Sequence, residues 1–326
     1  MGPKAEVGAV DTVWRVGLDE AGYGPNLGPL VLASTACRVA ADAPRCLWSH
    51  LPAAVRKKEH PDDGRLLIDD SKKVYHGKDG FARLETGVLS VLPAARGLAL
   101  SDYLTACALG TSADDLADEP WFDATQALPS VVPGDTLTAV RAALADASAA
   151  VAWGPVRTVV IPAARFNCLL DEWQVKSGVL ATGVIALLRA TLDLPGPGAI
   201  EIAIDKLGGR HFYTPLIHEA FPDGWARVIR EGPDLCEYVV YGLAREIRLR
   251  FEPKADGAHL NVALASMAAK YLREVCMAQF NRYWTGRVPG LKPTAGYPVD
   301  ATRFFAAIRD TLIADGTADR LVWRAK

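Results

Sequence analysis

Apolar and polar positions along this chain follow two alternating periods. Between residues 13 and 40 apolar and β-branched side chains dominate, and Pro25 and Pro29 exclude a helix. That stretch predicts two strands joined by a glycine- and proline-rich turn. Residues 52 to 64 are polar and read as a loop, after which Leu66-Leu67-Ile68 forms a strand-like triplet. From Phe166 the pattern is helical, with Leu180, Val184, Leu187 and Leu188 at i, i+4, i+7 and i+8, until Pro195-Gly196-Pro197-Gly198 stops it. Ala199 to Asp205 then alternates as a strand should, and a helix linking two strands is the crossover unit of an α/β sheet. Further on the pattern predicts a helix near Tyr213 to Ala220, a strand from Trp225 to Ile229, and a helix around Leu235 to Arg248. A turn at Glu252 to Gly257 and a long helix from about Asn261 to Phe280 follow.

The 326 residues, half of them hydrophobic, suffice for a sizeable core. No apolar run reaches the roughly 18 residues of a membrane span, and the first residues lack the order of a secretory signal, so a cytoplasmic location is expected. Six cysteines lie far apart with no C-x-x-C pair, which favours free thiols over a zinc site or disulfide frame. The net charge of −2 hides an uneven distribution. No Lys or Arg stands between Arg96 and Arg141, where seven acids gather, so the remainder of the chain is positive. Basic residues cluster at Arg56-Lys57-Lys58, at Lys72-Lys73 and beyond Arg282. Such clusters serve equally as a phosphate-binding track or as solvated faces. The acidic stretch reads as an insertion, with a helix near Leu137 to Val151 and with Trp121 and Phe122 as its anchors to the body.

Candidate chemistry begins at Leu18-Asp19-Glu20-Ala21-Gly22-Tyr23-Gly24-Pro25. Neighbouring strand residues face opposite ways, so in a central strand one of the two acids points toward the core. A buried carboxylate is costly unless it is paired or binds a cation, which makes a divalent metal the first hypothesis. A polar surface turn is the plain alternative, and a dinucleotide loop fits poorly because no helix follows the glycines. Asp70-Ser71-Lys72-Lys73 offers a hydroxyl and two ammonium groups to a phosphate, or simply a capped helix with exposed lysines. Asp205 ends a strand, as Asp19 does. Ser266, Lys270 and Glu274 share one face of the long helix, either as part of a site or as an exposed stripe with an ordinary ion pair.

Taken in order, Asp19-Glu20-Ala21-Gly22-x-Gly24-Pro25, Asp70-Ser71-Lys72-Lys73, the strand-ending Asp205, Ala265-Ser266-x-x-Ala269-Lys270-x-x-Arg273-Glu274 and Gly296-Tyr297-Pro298 resemble the type 2 ribonuclease H family. The resemblance covers roughly residues 13 to 75 and 160 to 310. It implies a ribonuclease H-like fold, an α/β architecture with a mixed central β-sheet flanked by helices, a small C-terminal helical portion and an acidic insertion. It implies endonucleolytic hydrolysis of the RNA strand of an RNA/DNA hybrid, or cleavage beside a ribonucleotide embedded in duplex DNA, leaving 5′-phosphate and 3′-hydroxyl ends. By the same resemblance, Asp19, Glu20, Asp205 and Glu274 would hold two Mg²⁺ or Mn²⁺ ions. Gly22, Tyr23 and Gly24 would read the 2′-hydroxyl, Tyr297 would stack on the sugar, and Ser71, Lys72, Lys73 and Lys270 would position phosphates or carboxylates. Two departures stand out: Tyr23 replaces the basic residue of the family's glycine loop, and the fourth acid is Glu274 where ribonuclease HII usually has Asp.

Two ions can grip both the attacking and the leaving oxygen of an in-line displacement, and hard cations prefer oxygen ligands, so metal would explain why four carboxylates converge. No histidine base is needed, which leaves His211, His218 and His259 incidental. The division expected is a loose leader over 1–12, a catalytic body over 13–280 containing the insertion at about 100–155, and a substrate-binding portion over 281–326. A non-catalytic nucleic-acid-binding or adaptor protein that kept the fold is the competing expectation. No membrane contact is expected, and no protein partner is specified.

Overall fold

The computed structural model describes residues 11–58, 60, 63–92, 98–147 and 151–325; most of the expected leader lies outside them. In chain order the elements are β1 (Thr12–Ala21), β2 (Leu30–Ala40), the short β3 (Val55–Arg56) and β4 (Leu66–Leu67), α1 (Ser71–Val74) and α2 (Gly80–Val91). Then come β5 (Leu98–Ala99), α3 (Leu100–Cys107), α4 (Ser112–Ala117), β6 (Ala127–Leu128), α5 (Gly134–Ala147), β7 (Ala152–Ile161), α6 (Ala163–Trp173) and α7 (Lys176–Ala190). The last part holds β8 (Ile200–Asp205), α8 (Thr214–Ala220), β9 (Trp225–Arg230), β10 (Cys236–Tyr241), β11 (Ile247–Glu252), α9 (Ala255–Ala258), α10 (Leu260–Arg287), α11 (Pro298–Ala314) and α12 (Asp319–Val322).

Seven strands form one mixed sheet in the order β7-β2-β1-β8-β11-β10-β9. β7, β2 and β1 are antiparallel, β1, β8 and β11 run parallel, and β11, β10 and β9 are again antiparallel. Helices cover both faces, as the α/β reading requires. α2, α3, α5 and α10 bury one core with Val31, Ala33 and Val39. α6, α7 and α8 bury the other with Val16, Leu18, Ile200, Ile202 and Ile204. The helix expected over Leu235 to Arg248 is instead two strands. Cys236, Tyr238 and Val240, then Ile247, Leu249 and Phe251, are the buried members of two strictly alternating runs, and Gly242 with φ +84° turns the chain between them. Arg and Glu in the intervening positions gave that stretch a helical composition, but the period is two.

α10 runs for 28 residues, about 42 Å, and crosses the boundary expected at residue 280 without a break. Its start lies directly on β1. A side-chain carbon on Gly17 would sit 2.2 Å from the backbone of both Asn261 and Val262, so only hydrogen fits there. Asn261 fixes the register by donating its amide to the Arg15 carbonyl at 2.6 Å and accepting the Thr35 hydroxyl on its own carbonyl at 2.8 Å. The far half of α10 packs with α11 and α12 around Phe280, Trp284, Phe304 and Ile308.

The acidic insertion docks on this same helix. Trp121 sets its ring edge-on to Phe280, centroids 5.1 Å apart, and Phe122 packs partly buried against the first core, so both expected anchors are engaged. Besides the helix expected near its end, the insertion contains α3 and α4. The buried carboxylate of Glu85 receives the N–H groups of Ser130, Val131 and Val132 at 2.7 to 2.9 Å and the Tyr271 hydroxyl at 3.1 Å, tying loop, α2 and α10 together. All six cysteines are free, four buried and two exposed. No single helix among the described residues is long and apolar enough to cross a membrane.

Glu119, 5 % exposed, is pushed up to about 8 by burial, opposed by the Trp121 indole N–H it accepts at 2.7 Å. The folded chain therefore keeps this proton where the unfolded chain loses it, and stability falls as pH rises from the ordinary glutamate range to about 8. Glu119→Gln is expected to flatten that fall, by up to about 1.4 kcal/mol per pH unit, in urea unfolding curves recorded across the window. An unchanged slope contradicts the assignment.

Candidate active site

Three adjacent parallel strands deliver the acids. β1 pairs with β8 so that Leu18 lies opposite Ile204, and β8 pairs with β11 so that Asp205 lies opposite Glu252. Asp19, Glu20 and Asp205 thus leave the sheet at one edge, the carboxyl ends of parallel strands, where open α/β sheets place their ligands. Asp19 Oδ1 accepts the Glu20 N–H at 2.8 Å, and the Asp19 carboxylate also takes a hydrogen bond from Ser266. Ser266 in turn lies 3.0 Å from the Ser71 hydroxyl, which ties α1 to the first turns of α10. Asp205 Oδ1 accepts the Ala255 N–H at 3.1 Å, so the turn after β11 folds back over the same edge.

Electrostatics report the crowding. Burial first, then the charge of Glu20 and more weakly Asp205, hold Asp19 well above the usual carboxylate range against the Ser266 hydrogen bond. Burial and Asp205 push Glu20 up to about 7, with the nearby Lys72 pulling the other way. Asp256, in the first turn of α9, is also raised, by burial and then by Asp70 and Asp205. These acids repel one another at neutral pH.

Asp19, Glu20 and Asp205 lie close enough at this edge to act on one another electrostatically, and Asp256 lies near Asp205 and Asp70. The structure does not bring Glu274 there. Glu274 is eight residues beyond Ser266 on α10, about 12 Å along the axis. Its oxygens are occupied by the Tyr75 hydroxyl at 2.8 Å, Lys270 at 2.8 Å and Arg273 at 3.4 Å. Lys270 is thereby paired with Glu274 and lies over the Tyr75 ring. Of the two lysines in α1, Lys73 pairs with the buried Asp69 at 3.2 Å, while exposed Lys72 faces the acids. Asp70 caps α1 by accepting the Lys72 N–H at 2.9 Å, as its position suggested.

The glycine loop and the Tyr297 turn meet. Gly296 offers its carbonyl to the N–H groups of Asn26 and Leu27 at 2.8 and 3.3 Å. Buried Arg273 bridges the Leu27 and Ala295 carbonyls at 3.3 and 3.1 Å. Gly22, at φ +87°, leaves no room for a side chain because Arg273 passes 2.5 Å from where its Cβ would stand. Tyr297 is 54 % exposed beside this loop, free to meet a ligand. Of the histidines set aside, His259 hydrogen-bonds Glu252 and Nζ of Lys206 lies 3.3 Å from His211.

The donor set is all carboxylate and hydroxyl oxygen, the chemistry that Mg²⁺ or Mn²⁺ selects. Among the described residues no three acidic, His or Cys side chains are already closed around one point.

No family model matches the sequence, and no curated protein does. Solved structures with a similar chain path include ribonuclease HII of Archaeoglobus fulgidus in complex with PCNA, at 14% identity and TM-score 0.40 over 96% of this chain and 94% of that one. Ribonuclease H2 from Pyrococcus horikoshii OT3 aligns at 14% and 0.42 over 95% and 92%. Bst-RNase HIII in complex with Mn²⁺ aligns at 14% and 0.42 over 97% of this chain and 67% of that one.

Because Asp19 and Glu20 bind protons more tightly folded than unfolded, metal-free stability falls as pH rises from the ordinary carboxylate range through about 7. Asp19→Asn is expected to raise the melting temperature in EDTA at about pH 8 by a few degrees and to change it little at about pH 5. Mg²⁺ should raise the wild-type value at the higher pH, and that of Asp19→Asn much less. Thermal melts giving Asp19→Asn no advantage at the higher pH would contradict the repulsion.

Proposed function

We propose that the chain is a type 2 ribonuclease H, a metal-dependent endonuclease that hydrolyses the RNA strand of an RNA/DNA hybrid or cleaves at a ribonucleotide within duplex DNA. The observation that carries this reading is the meeting of Asp19, Glu20 and Asp205 at one sheet edge, between Ser71–Lys72 on one side and the glycine loop on the other. A site built only to bind nucleic acid would place cations there. Carboxylates packed until they resist ionising suit a site that takes up cations before it meets phosphate.

In this reading Asp19, Glu20, Asp205 and Asp256 hold the ions, and Asp256 takes the place that the sequence resemblance gave to Glu274. Divalent ions bound there supply an activated water and neutralise charge on the leaving oxygen. The protein's own groups do the rest. Ser266 fixes one Asp19 rotamer, and the Ala255 N–H orients Asp205. Lys72 presents charge to a phosphate, and Glu274 holds Lys270 and Tyr75 in place. The backbone of Gly22–Gly24 and the ring of Tyr297 face the sugar whose 2′-hydroxyl distinguishes RNA from DNA.

The test is cleavage of a duplex carrying one ribonucleotide, and of a long hybrid, with Mg²⁺ or Mn²⁺ and with EDTA as control. Wild type should cleave at least one of them. Asp19→Asn and Asp256→Asn should each lose about 100-fold or more in rate, whereas Glu274→Gln should stay within about tenfold. Binding without cleavage by wild type would favour the non-catalytic reading. Full activity of Asp256→Asn with loss in Glu274→Gln would return the fourth position to Glu274.

A further inference from the structure

The glycine loop is held from beneath by a segment about 300 residues away in sequence. Trp323 bridges to Leu27, the Arg324 N–H donates to the Asn26 carbonyl at 2.8 Å, and the Asn26 amide returns a bond to the Arg324 carbonyl at 3.2 Å. Asn167 on α6 anchors that segment, donating to the Trp323 carbonyl and accepting the Ala325 N–H, both at 2.8 Å. The Arg324 side chain, 1 % exposed, rises under the loop. Its Nη2 donates to the Gly22 carbonyl at 2.7 Å and to the Pro25 carbonyl, and its guanidinium lies over the Phe166 ring, 4.7 Å from the centroid.

Among the described residues Arg324 has no ion-pair partner, and its Nε and Nη1 make no hydrogen bond. The other charge close by is Arg273, of the same sign; burial and Arg273 together bring Arg324 down to about 9. An uncompensated guanidinium in low dielectric is expensive and projects a strong field. Directly against that guanidinium lies the loop, Gly22 to Pro25, in which Tyr23 stands where the resembled family carries Arg or Lys.

Resting on the ribonuclease reading, we propose that Arg324 is a positioning residue that aligns Gly22–Pro25 for the substrate sugar and supplies, from below, the phosphate-attracting charge that Tyr23 lacks. Substrate phosphate then provides the counter-charge that the folded protein withholds.

The test measures affinity of the full chain for a ribonucleotide-containing duplex by fluorescence anisotropy in Ca²⁺, over a range of salt, together with kcat and KM in Mg²⁺ or Mn²⁺. Arg324→Gln should weaken binding about tenfold and lower the salt slope by about one, raising KM with kcat little changed. Arg324→Lys should recover most of the loss, and Tyr23→Arg added to Arg324→Gln should recover binding without restoring the melting temperature. A merely structural role predicts that Lys serves no better than Gln and that Tyr23→Arg does not help, and either result overturns the proposal. Where Arg324→Gln does not fold, Tyr23→Arg alone decides. Less than about threefold tighter binding is expected if Arg324 already supplies the charge, and a gain of about tenfold overturns it. Wild type that binds no duplex overturns the ribonuclease reading and this inference with it. Wild type and Arg324→Gln binding alike overturn the inference alone.

Discussion

Like charges forced together at the end of three parallel strands are the constraint on which the rest of this molecule depends. Asp19, Glu20 and Asp205 share one sheet edge because β1 and β8 are paired in parallel register, and Asp256 joins them because β11 runs parallel on the other side of β8. Left alone, such a cluster weakens the fold at neutral pH. The surroundings offset part of that. Ser266 and backbone N–H groups donate hydrogen bonds to the carboxylates, Lys72 faces them, and the large apolar cores on either side of the sheet supply the stability that offsets the rest.

α10 links that cluster to everything else. Gly17 and Asn261 seat its start against β1 and β2, Ser266 reaches Asp19, Arg273 supports the glycine loop, and its far half receives both the acidic insertion and the C-terminal helices. A single rigid rod thereby sets the spacing between the carboxylates, the loop beside them and Tyr297. The insertion, though acidic, shares buried contacts with this rod through Glu85, Trp121 and Gln279, and is a structural part of the body.

Elements whose signal is local were legible in the sequence. The pair β1 and β2 announced itself through apolar runs around a Gly/Pro turn, β8 through its alternation ending in Asp205, and the Asp70 cap through its position before Ser71. Arg and Glu between the buried positions of residues 235–248 mimic a helical composition, and nothing local in the turn at Glu252 to Gly257 shows that it lies beside the sheet edge, so Asp256 is not legible from the sequence. Once the run is seen as β10 and β11, the turn must emerge beside Asp205. β7 carries Gly154 and Pro155 in its first half, which mask its strand pattern in the sequence. Glu274 is assigned as the fourth acid by the resemblance of the motif around it, yet it lies eight residues beyond Ser266 along the helix and is held by Tyr75 and Lys270. Arg324 gave no sequence signal, since its partners Gly22 and Pro25 are about 300 positions away and contribute only backbone carbonyls.

The most direct measurement is anomalous diffraction from crystals of the protein soaked in Mn²⁺. Manganese peaks within ligand distance of Asp19, Glu20, Asp205 and Asp256, and none on Glu274, are the result predicted here. Manganese bound at Glu274, or absent from the strand ends while present elsewhere on the molecule, would contradict it.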